Sequence, residues 1–360
     1  MEVCLSAPGK LFLSGEYSVL WGGTARLAGV GPRAFALART REDREVHLVL
    51  AEGRLRGTMT PLGVRWATEP AAPFVFAARA LDLVVRARAR ESLGLELALS
   101  PTAPGPGGHK LGLGSSARAV VLAVESAARL LEVRPPLALA LLAHAEAQGG
   151  KGSGGDVAAC AVGGLLRYRR WPLERVTSAA SLGLGLAAAG APDVVRLGTT
   201  ALPASYAFSG QSASTPGMIQ KVESALQGPA RRRFVESSDE LGRELEDGLR
   251  ASRFAQVDEA CQGLEASLEA LPGVGTPGAT RILALARTAG STGKVSGAGG
   301  GDGCVLFSPD EDARRALLAA LAHRGFVAVP LSLEPGVRAE SSTPPELRAW
   351  LGPGELLQKS

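Results

Sequence analysis

The sequence predicts an α+β protein of two domains, on three observations. Its 360 residues exceed what one core comfortably fills, so a division into two is the default. A hydrophobic content of 46% and a charged content of 21% are those of a globular chain, not a disordered one. The last third reads as strand, glycine loop, strand, helix and strand, a series that packs as a sheet with helices on it.

Residues 5–10 and Leu11-Phe12-Leu13 read as two strands joined by a turn at Pro8-Gly9. Apolar alternation resumes at Val46–Leu50. From Pro73 to Ser92 the apolar positions Phe76, Leu81, Leu83 and Val84 recur at helical spacing with arginine on the outer face. Leu95–Leu99 is a short strand. Residues 101–116, dense in glycine and proline, form a loop. Helices are expected at Ala117–Leu131 and Pro135–Ala147, the latter opening on proline. Gly149–Gly155 is a second glycine loop, followed by an alanine-rich helix from Asp156 and a strand at Leu165–Tyr168.

Residues 171–203 look irregular, which sets a domain boundary near 175: an N-terminal domain over 1–175 and a C-terminal domain over 176–360. The second half is helical at Pro216–Gln227, Ala230–Ala251, Phe254–Leu271 and Pro277–Ala289. Short strands flank a third glycine loop at Ser296–Gly303, and a helix over Asp310–His323 and a strand over Phe326–Pro330 follow. The tail after Leu333 is expected to pack loosely.

Composition narrows the function. The net charge is only +4 and aromatic content is 4%, so runs such as Arg231-Arg232-Arg233 read as solvated helix faces; no nucleic-acid partner is expected. The four cysteines form no CxxC pair and the four histidines no ligand spacing. No signal peptide and no stretch able to span a bilayer is visible, so a cytoplasmic protein without a membrane partner is expected. Of 39 basic residues only six are lysine, and Lys10, Lys110, Lys151 and Lys294 adjoin glycine-containing turns. A compact ammonium suits point contact with phosphate oxygens where a guanidinium would not fit. These four lysines point to a phosphate site.

The middle loop, Lys110-Leu111-Gly112-Leu113-Gly114-Ser115-Ser116-Ala117, runs straight into a helix. Its glycines let backbone N–H groups converge on an anion, the helix start adds a favourable dipole, and two serines supply hydroxyls. An ordinary serine N-cap would account for the same residues. The GxGxxA match lacks the preceding buried strand of a dinucleotide fold, and no GxxxxGK[ST] stretch occurs. The third loop, Ser296-Gly297-Ala298-Gly299-Gly300-Gly301-Asp302-Gly303, carries a glycine content whose entropic cost suggests close backbone approach to a ligand.

Ala7-Pro8-Gly9-Lys10 with Gly15-Glu16-Tyr17, then Gly112–Ala117, then Ser296–Gly301 resemble, in order, the three motifs of the GHMP kinases (galactokinase, homoserine, mevalonate and phosphomevalonate kinases). The resemblance spans roughly residues 3–330. It implies a two-domain GHMP kinase fold, with an N-terminal domain like the second domain of ribosomal protein S5, a ferredoxin-like C-terminal domain, and the site in the cleft between them. Leu11–Leu20, Lys110, Gly152–Ala159 and Asp302 are similar to the phosphomevalonate kinase branch. Asp302-Gly303-Cys304, where Asp-Cys-Gly is expected, and Arg118, where a small residue is common, depart from the pattern.

The resemblance implies ATP and Mg²⁺ as cofactors and a small-molecule acceptor, phosphomevalonate, for a monomer or homodimer; transfer to the mevalonate hydroxyl, or a non-catalytic sensor of ATP and metabolite on the same fold, is the alternative. Lys10 and Asp156 are the implied catalytic pair. Lys110, Gly112, Leu113, Gly114, Ser115, Ser116 and Ala117 would hold ATP, with Ser116 and Glu146 as metal contacts, Glu146 one position out of register. Tyr17, Ser18, Lys151, Ser153, Thr215, Ser296, Gly297, Ala298, Gly299 and Gly300 would join Lys10 around the acceptor. For a phosphate acceptor, Asp156 is expected to order Lys10 by ion pairing; for an alcohol it would be a base.

Overall fold

The computed structural model of the chain describes residues 1–88, 94–101, 106–108, 111–150, 152–177, 181–210, 215–301 and 303–352. Strands β1 (Glu2–Ser14), β2 (Thr24–Thr40), β3 (Glu45–Leu50), β4 (Gly53–Thr60) and β5 (Gly63–Trp66) precede helix α1 (Val75–Ala87) and β6 (Leu95–Leu99). Helices α2 (Ser115–Leu130), α3 (Pro136–Ala147) and α4 (Gly155–Val162) follow, then β7 (Leu165–Arg169), α5 (Leu173–Thr177), α6 (Leu182–Ala189) and β8 (Val194–Gly198). The rest runs β9 (Ala204–Phe208), α7 (Thr215–Ala225), α8 (Gly228–Arg250), α9 (Phe254–Glu269), α10 (Pro277–Thr288), β10 (Thr292–Ser296), β11 (Gly303–Phe307), α11 (Glu311–His323), β12 (Ala328–Leu331), β13 (Arg338–Ala339) and α12 (Pro345–Leu351).

Two sheets organise the described residues. The larger has the order β13-β1-β2-β6-β3-β4-β5, with β7 also on β2 and β8 on β7. The apolar faces of α1 to α4 close over it, and Leu81, Val84, Val121, Leu139 and Val157 are buried in that core. The second sheet is antiparallel with order β10-β11-β9-β12. Counted along the second half, its strands lie second, third, first and fourth, the order of a ferredoxin-like sheet, as the resemblance implies. Helices α10 and α11 contribute Ile282, Leu283, Leu317 and Leu321 to one core on this sheet. A separate core joins the two halves: Leu11, Leu13, Val30 and Leu113 pack with Tyr206, Leu245, Val257 and Phe307.

Three expectations are corrected. Residues 2–14 form one strand, not two around a turn: β1 pairs along β2 and accommodates Pro8-Gly9 as an irregularity between Ala7 and Gly9. Gly9 is needed there because a Cβ would stand 2.9 Å from the Leu113 carbonyl oxygen. The described residues of 171–203 are not irregular, since they form α5, α6 and β8, and the larger sheet extends past 175, because β8 pairs with β7. The tail is not loose: β13 pairs with β1, and Leu347 and Leu351 of α12 are buried against Leu37, Val49 and Ala98. Strand β2 carries no strand signal because Gly29, Gly31 and Pro32 interrupt its alternation. There the strand changes neighbour, pairing β7 over residues 24–28 and β6 over 36–40.

Candidate active site

The three glycine-bearing segments meet in one cleft of about 360 Å³ between the halves. Lys10, Tyr17, Gly112, Gly114, Ser115 and Ser116 line it, and so do Ser153, Asp156, Gly297 and Ala298. The sequence reading did not assign Phe12, Glu16, Val19, Leu20, Gln148, Gly152 or Ile219, which complete the wall.

Lys10 leaves β1 beside the middle loop, and its N–H donates to the Leu113 carbonyl at 3.1 Å. Its stem lies so close over Gly114 that a Cβ at 114 would stand 2.7 Å from Lys10 Cγ. Gly114 also has φ +83°, a left-handed value that side chains resist. The ammonium sits 5.9 Å from the Phe12 ring centroid and makes no ion pair among the described residues. The expected Lys10–Asp156 ion pair is therefore not formed in this structure.

Helix α2 begins at Ser115 with Gly114 as its N-cap residue and no side-chain cap. A serine N-cap does not explain this loop. The first-turn N–H groups lack a side-chain acceptor at a helix start that favours anions. Asp156 stands in the first turn of α4 behind Gly154. Its Oδ1 accepts from Val157 N at 2.9 Å, and its Oδ2 lies 3.5 Å from Nε2 of buried His144. That nitrogen is also 3.2 Å from Ser116 Oγ. Ser153 Oγ accepts from Gly155 N at 3.2 Å, while its carbonyl accepts from Tyr168 OH at 2.7 Å.

Tyr17 has φ 61°, a value uncommon outside glycine and found where surroundings enforce it. Its hydroxyl donates to the Ala298 carbonyl, so the first motif holds the third loop in place. Burial, with Glu16 adding to it, pushes this phenol well above its ordinary pKa and keeps it a neutral donor.

Several assigned residues lie elsewhere. Ser18 is buried and its hydroxyl accepts from Ser238 at 3.1 Å. Leu113 and Ala117 are core residues. Ser296 Oγ donates to the Phe12 carbonyl at 2.8 Å. Cβ atoms at Gly299 and Gly300 would meet Val274 Cγ1 at 2.5 Å and Met218 Sδ at 2.9 Å. The glycines there permit packing on the protein, and the cleft is reached instead by Gly297 and Ala298. Glu146 does not line the cleft: Arg79 holds its carboxylate at 2.5 Å, which removes it as a metal ligand in this structure. Lys110, Lys151 and Asp302 fall outside the described residues, as does the side chain of Thr215.

Lys294, expected near phosphate, is fully buried and pairs with Glu16 at 2.5 Å. Its ammonium also donates to its neighbour's carbonyl, Val295 O, at 2.5 Å. Next to it, Glu265 accepts from Val295 N at 2.8 Å, and burial raises the Glu265 carboxyl above its usual range. This pair ties β10 to the first motif across the domain junction. Removing one partner of such a pair strands a buried charge, so Lys294→Ala should lower unfolding stability by about 3–5 kcal/mol. Guanidinium denaturation checks this, and a loss below about 1 kcal/mol would show that the pair contributes little.

The donor set suits a polyphosphate: an unpaired ammonium, uncapped helix N–H groups and serine hydroxyls. Among the described residues no three carboxylate, histidine or cysteine side chains converge as a metal cage. The available oxygens, Ser116 Oγ and the Asp156 carboxylate, fit a Mg²⁺ ion that takes its remaining ligands from phosphates and water.

Comparison with known proteins agrees with this geometry. Residues 76–164 match the model of the GHMP kinases N terminal domain, and residues 245–327 match that of GHMP kinases C terminal. A phosphomevalonate kinase from a Streptomyces species is 29% identical over 86% of this chain and 90% of its own. A mevalonate kinase of Thermococcus gammatolerans is 25% identical over 96% of this chain and 100% of its own. The structure of Streptococcus pneumoniae phosphomevalonate kinase with phosphomevalonate and AMPPNP superposes with a TM-score of 0.78 at 19% identity, covering 92% of this chain and 100% of that one. The mevalonate kinase of Methanococcus jannaschii gives 0.69 at 16% identity, over 93% and 99%. Both domain models match in chain order on the two-sheet fold, so the chain carries an N-terminal and a C-terminal domain of the GHMP kinase type.

Proposed function

We propose that the chain transfers the γ-phosphoryl group of ATP to the 5-phosphate of phosphomevalonate, giving diphosphomevalonate and ADP. The observation that carries the phosphoryl-transfer chemistry is the meeting of Lys10, the α2 start and Asp156 in one cleft. The acceptor rests on the Streptomyces phosphomevalonate kinase, which matches along nearly its full length, and on Leu11–Leu20, similar to that branch.

Such transfers need positioning and charge neutralisation more than covalent help. The N–H groups of Ser115 and Ser116 and the Ser116 hydroxyl hold the nucleotide phosphates, while Gly114 leaves room for them. Lys10 faces the transferring group. Lys110 and Lys151 are assigned to the remaining phosphate charge. Ser153, Gly297, Ala298 and Tyr17 shape the acceptor side, with Ser116 and Asp156 offering oxygens to Mg²⁺. The metal supplies charge neutralisation at the phosphates when bound.

A second reading, transfer to the hydroxyl of mevalonate, is favoured by one observation: the Asp156 carboxylate is not tied to Lys10 and is available as a base. The two readings differ in proton demand. An alcohol must lose a proton, whereas a phosphate monoester with a second pKa near ~6 is mostly ionised at neutral pH. Activity on phosphomevalonate should therefore exceed that on mevalonate, measured by coupled ADP release. Asp156→Asn should slow the enzyme yet keep the acidic limb of its pH profile, set by the acceptor phosphate near ~6. Turnover of mevalonate but not phosphomevalonate would overturn the acceptor and restore Asp156 as a general base worth roughly 10²–10⁴-fold.

A further inference from the structure

Helix α3 is built almost wholly of alanine and leucine, with Ala138 to Ala143 buried in sequence. His144 breaks that series where α3 passes under the cleft. Its side chain is only 3% exposed, yet it does not line the cleft. The Phe76 ring, 5.2 Å away and tilted 35°, fixes the imidazole plane from the α1 side. The opposite edge presents Nε2 to two oxygens from different helices: Ser116 Oγ of α2 at 3.2 Å and Asp156 Oδ2 of α4 at 3.5 Å.

A solvated histidine would account for none of this, and a core-filling residue would not require a nitrogen at that edge. A carboxylate beside Nε2 favours the tautomer that carries its proton there. Nε2–H then donates to Ser116 Oγ, and the serine's own O–H stays available for a phosphate oxygen. Three helices thereby converge on one nitrogen.

We propose that His144 is a positioning residue for phosphoryl transfer. By joining the Ser116 hydroxyl and the Asp156 carboxylate, it fixes the separation of the two oxygen groups that contact the nucleotide and its metal. The inference rests on the assignment of Ser116 and Asp156 to the phosphoryl-transfer site, and not on which acceptor is used.

His144→Gln and His144→Asn separate reach from polarity. The glutamine amide nitrogen falls near the position of Nε2, whereas the asparagine amide stops short of both oxygens. Groups that orient ligating side chains typically contribute 10–100-fold to affinity or activity. His144→Asn should accordingly lower kcat by about 10–100-fold and weaken MgATP binding in calorimetry by at least about tenfold. The acceptor KM should stay within about twofold, because the acceptor wall is untouched. His144→Gln should recover kcat to within about fivefold of the parent, even where thermal unfolding shows both variants destabilised alike. Equal impairment of the two variants, or near-parent values in both, would reduce His144 to a packing residue. Should His144→Asn fail to fold, a kcat loss beyond about tenfold in folded His144→Gln overturns the proposal by itself. Should neither acceptor be turned over, the acceptor reading fails, and the MgATP titration alone decides: unchanged affinity in His144→Asn overturns the positioning role.

Discussion

Lys10→Ala should lose at least about a hundredfold in turnover while MgATP still binds. Among the described residues lining the cleft, Lys10 alone is cationic, and no carboxylate partner neutralises it. Its position is fixed from below by the Leu113 carbonyl and by Gly114, against which its stem packs. A charge aimed at developing charge in a water-poor cleft is worth about 3–4 kcal/mol, a factor of about 10²–10³ in rate. Binding of ground-state nucleotide depends more on the α2 start, so affinity should fall much less than rate. Lys10→Arg should not restore the parent rate, since a planar guanidinium cannot follow the ammonium's path over Gly114. Steady-state turnover with calorimetric titration of MgATP separates the two effects. Near-parent turnover in Lys10→Ala would remove Lys10 from the catalytic role.

The helices of the second half were legible because long amphipathic periodicity needs no tertiary information: residues 254–271 and 277–289 were read nearly to their ends. Strand β2 was not, since its glycines and proline serve a change of sheet neighbour that only pairing defines. The same limit hid the continuity of β1, whose Pro8-Gly9 reads locally as a turn and is an irregularity imposed by the Leu113 loop. Within the site, motif residues on the loops converged, but a loop's glycine content did not say which glycine faces the cleft. Gly297 does, whereas Gly299 and Gly300 face Val274 and Met218.

Lysine scarcity points equally to Lys10, which lines the cleft, and to Lys294, which is buried against Glu16 instead. A lysine next to a glycine loop can serve the ligand or the domain junction, and in β10, buried on both faces from Lys294 to Ser296, only the junction is open to it. His144 carried one faint signal, a histidine inside an alanine–leucine helix, while its partners come from two other helices far apart in sequence. Glu146 illustrates the converse. The resemblance offers it as a metal contact one position out of register, and Arg79, brought by α1, pairs with it.

Gly114→Val should abolish detectable nucleotide binding in a chain that still folds. Two independent features of position 114 argue for it. Its φ of +83° costs a β-branched residue on the order of 1–3 kcal/mol of strain, less than the about 5–15 kcal/mol that typically holds a native chain together. The added side chain would also meet Lys10 Cγ, with its Cβ only 2.7 Å away, so that either the lysine stem or the loop must shift. The strain at this φ falls on the loop itself, and a moved loop turns the Ser115 and Ser116 N–H groups away from the phosphates, which removes affinity. A moved lysine stem alone would cost turnover and leave the nucleotide bound. Gly114→Ala adds a single methyl group and should give an intermediate loss, graded by the loop's displacement and not by helix content. Calorimetric titration with MgATP, paired with thermal unfolding, tests the series. Parent-like affinity in a folded Gly114→Val protein would mean that the loop only caps α2 and that the nucleotide phosphates lie elsewhere.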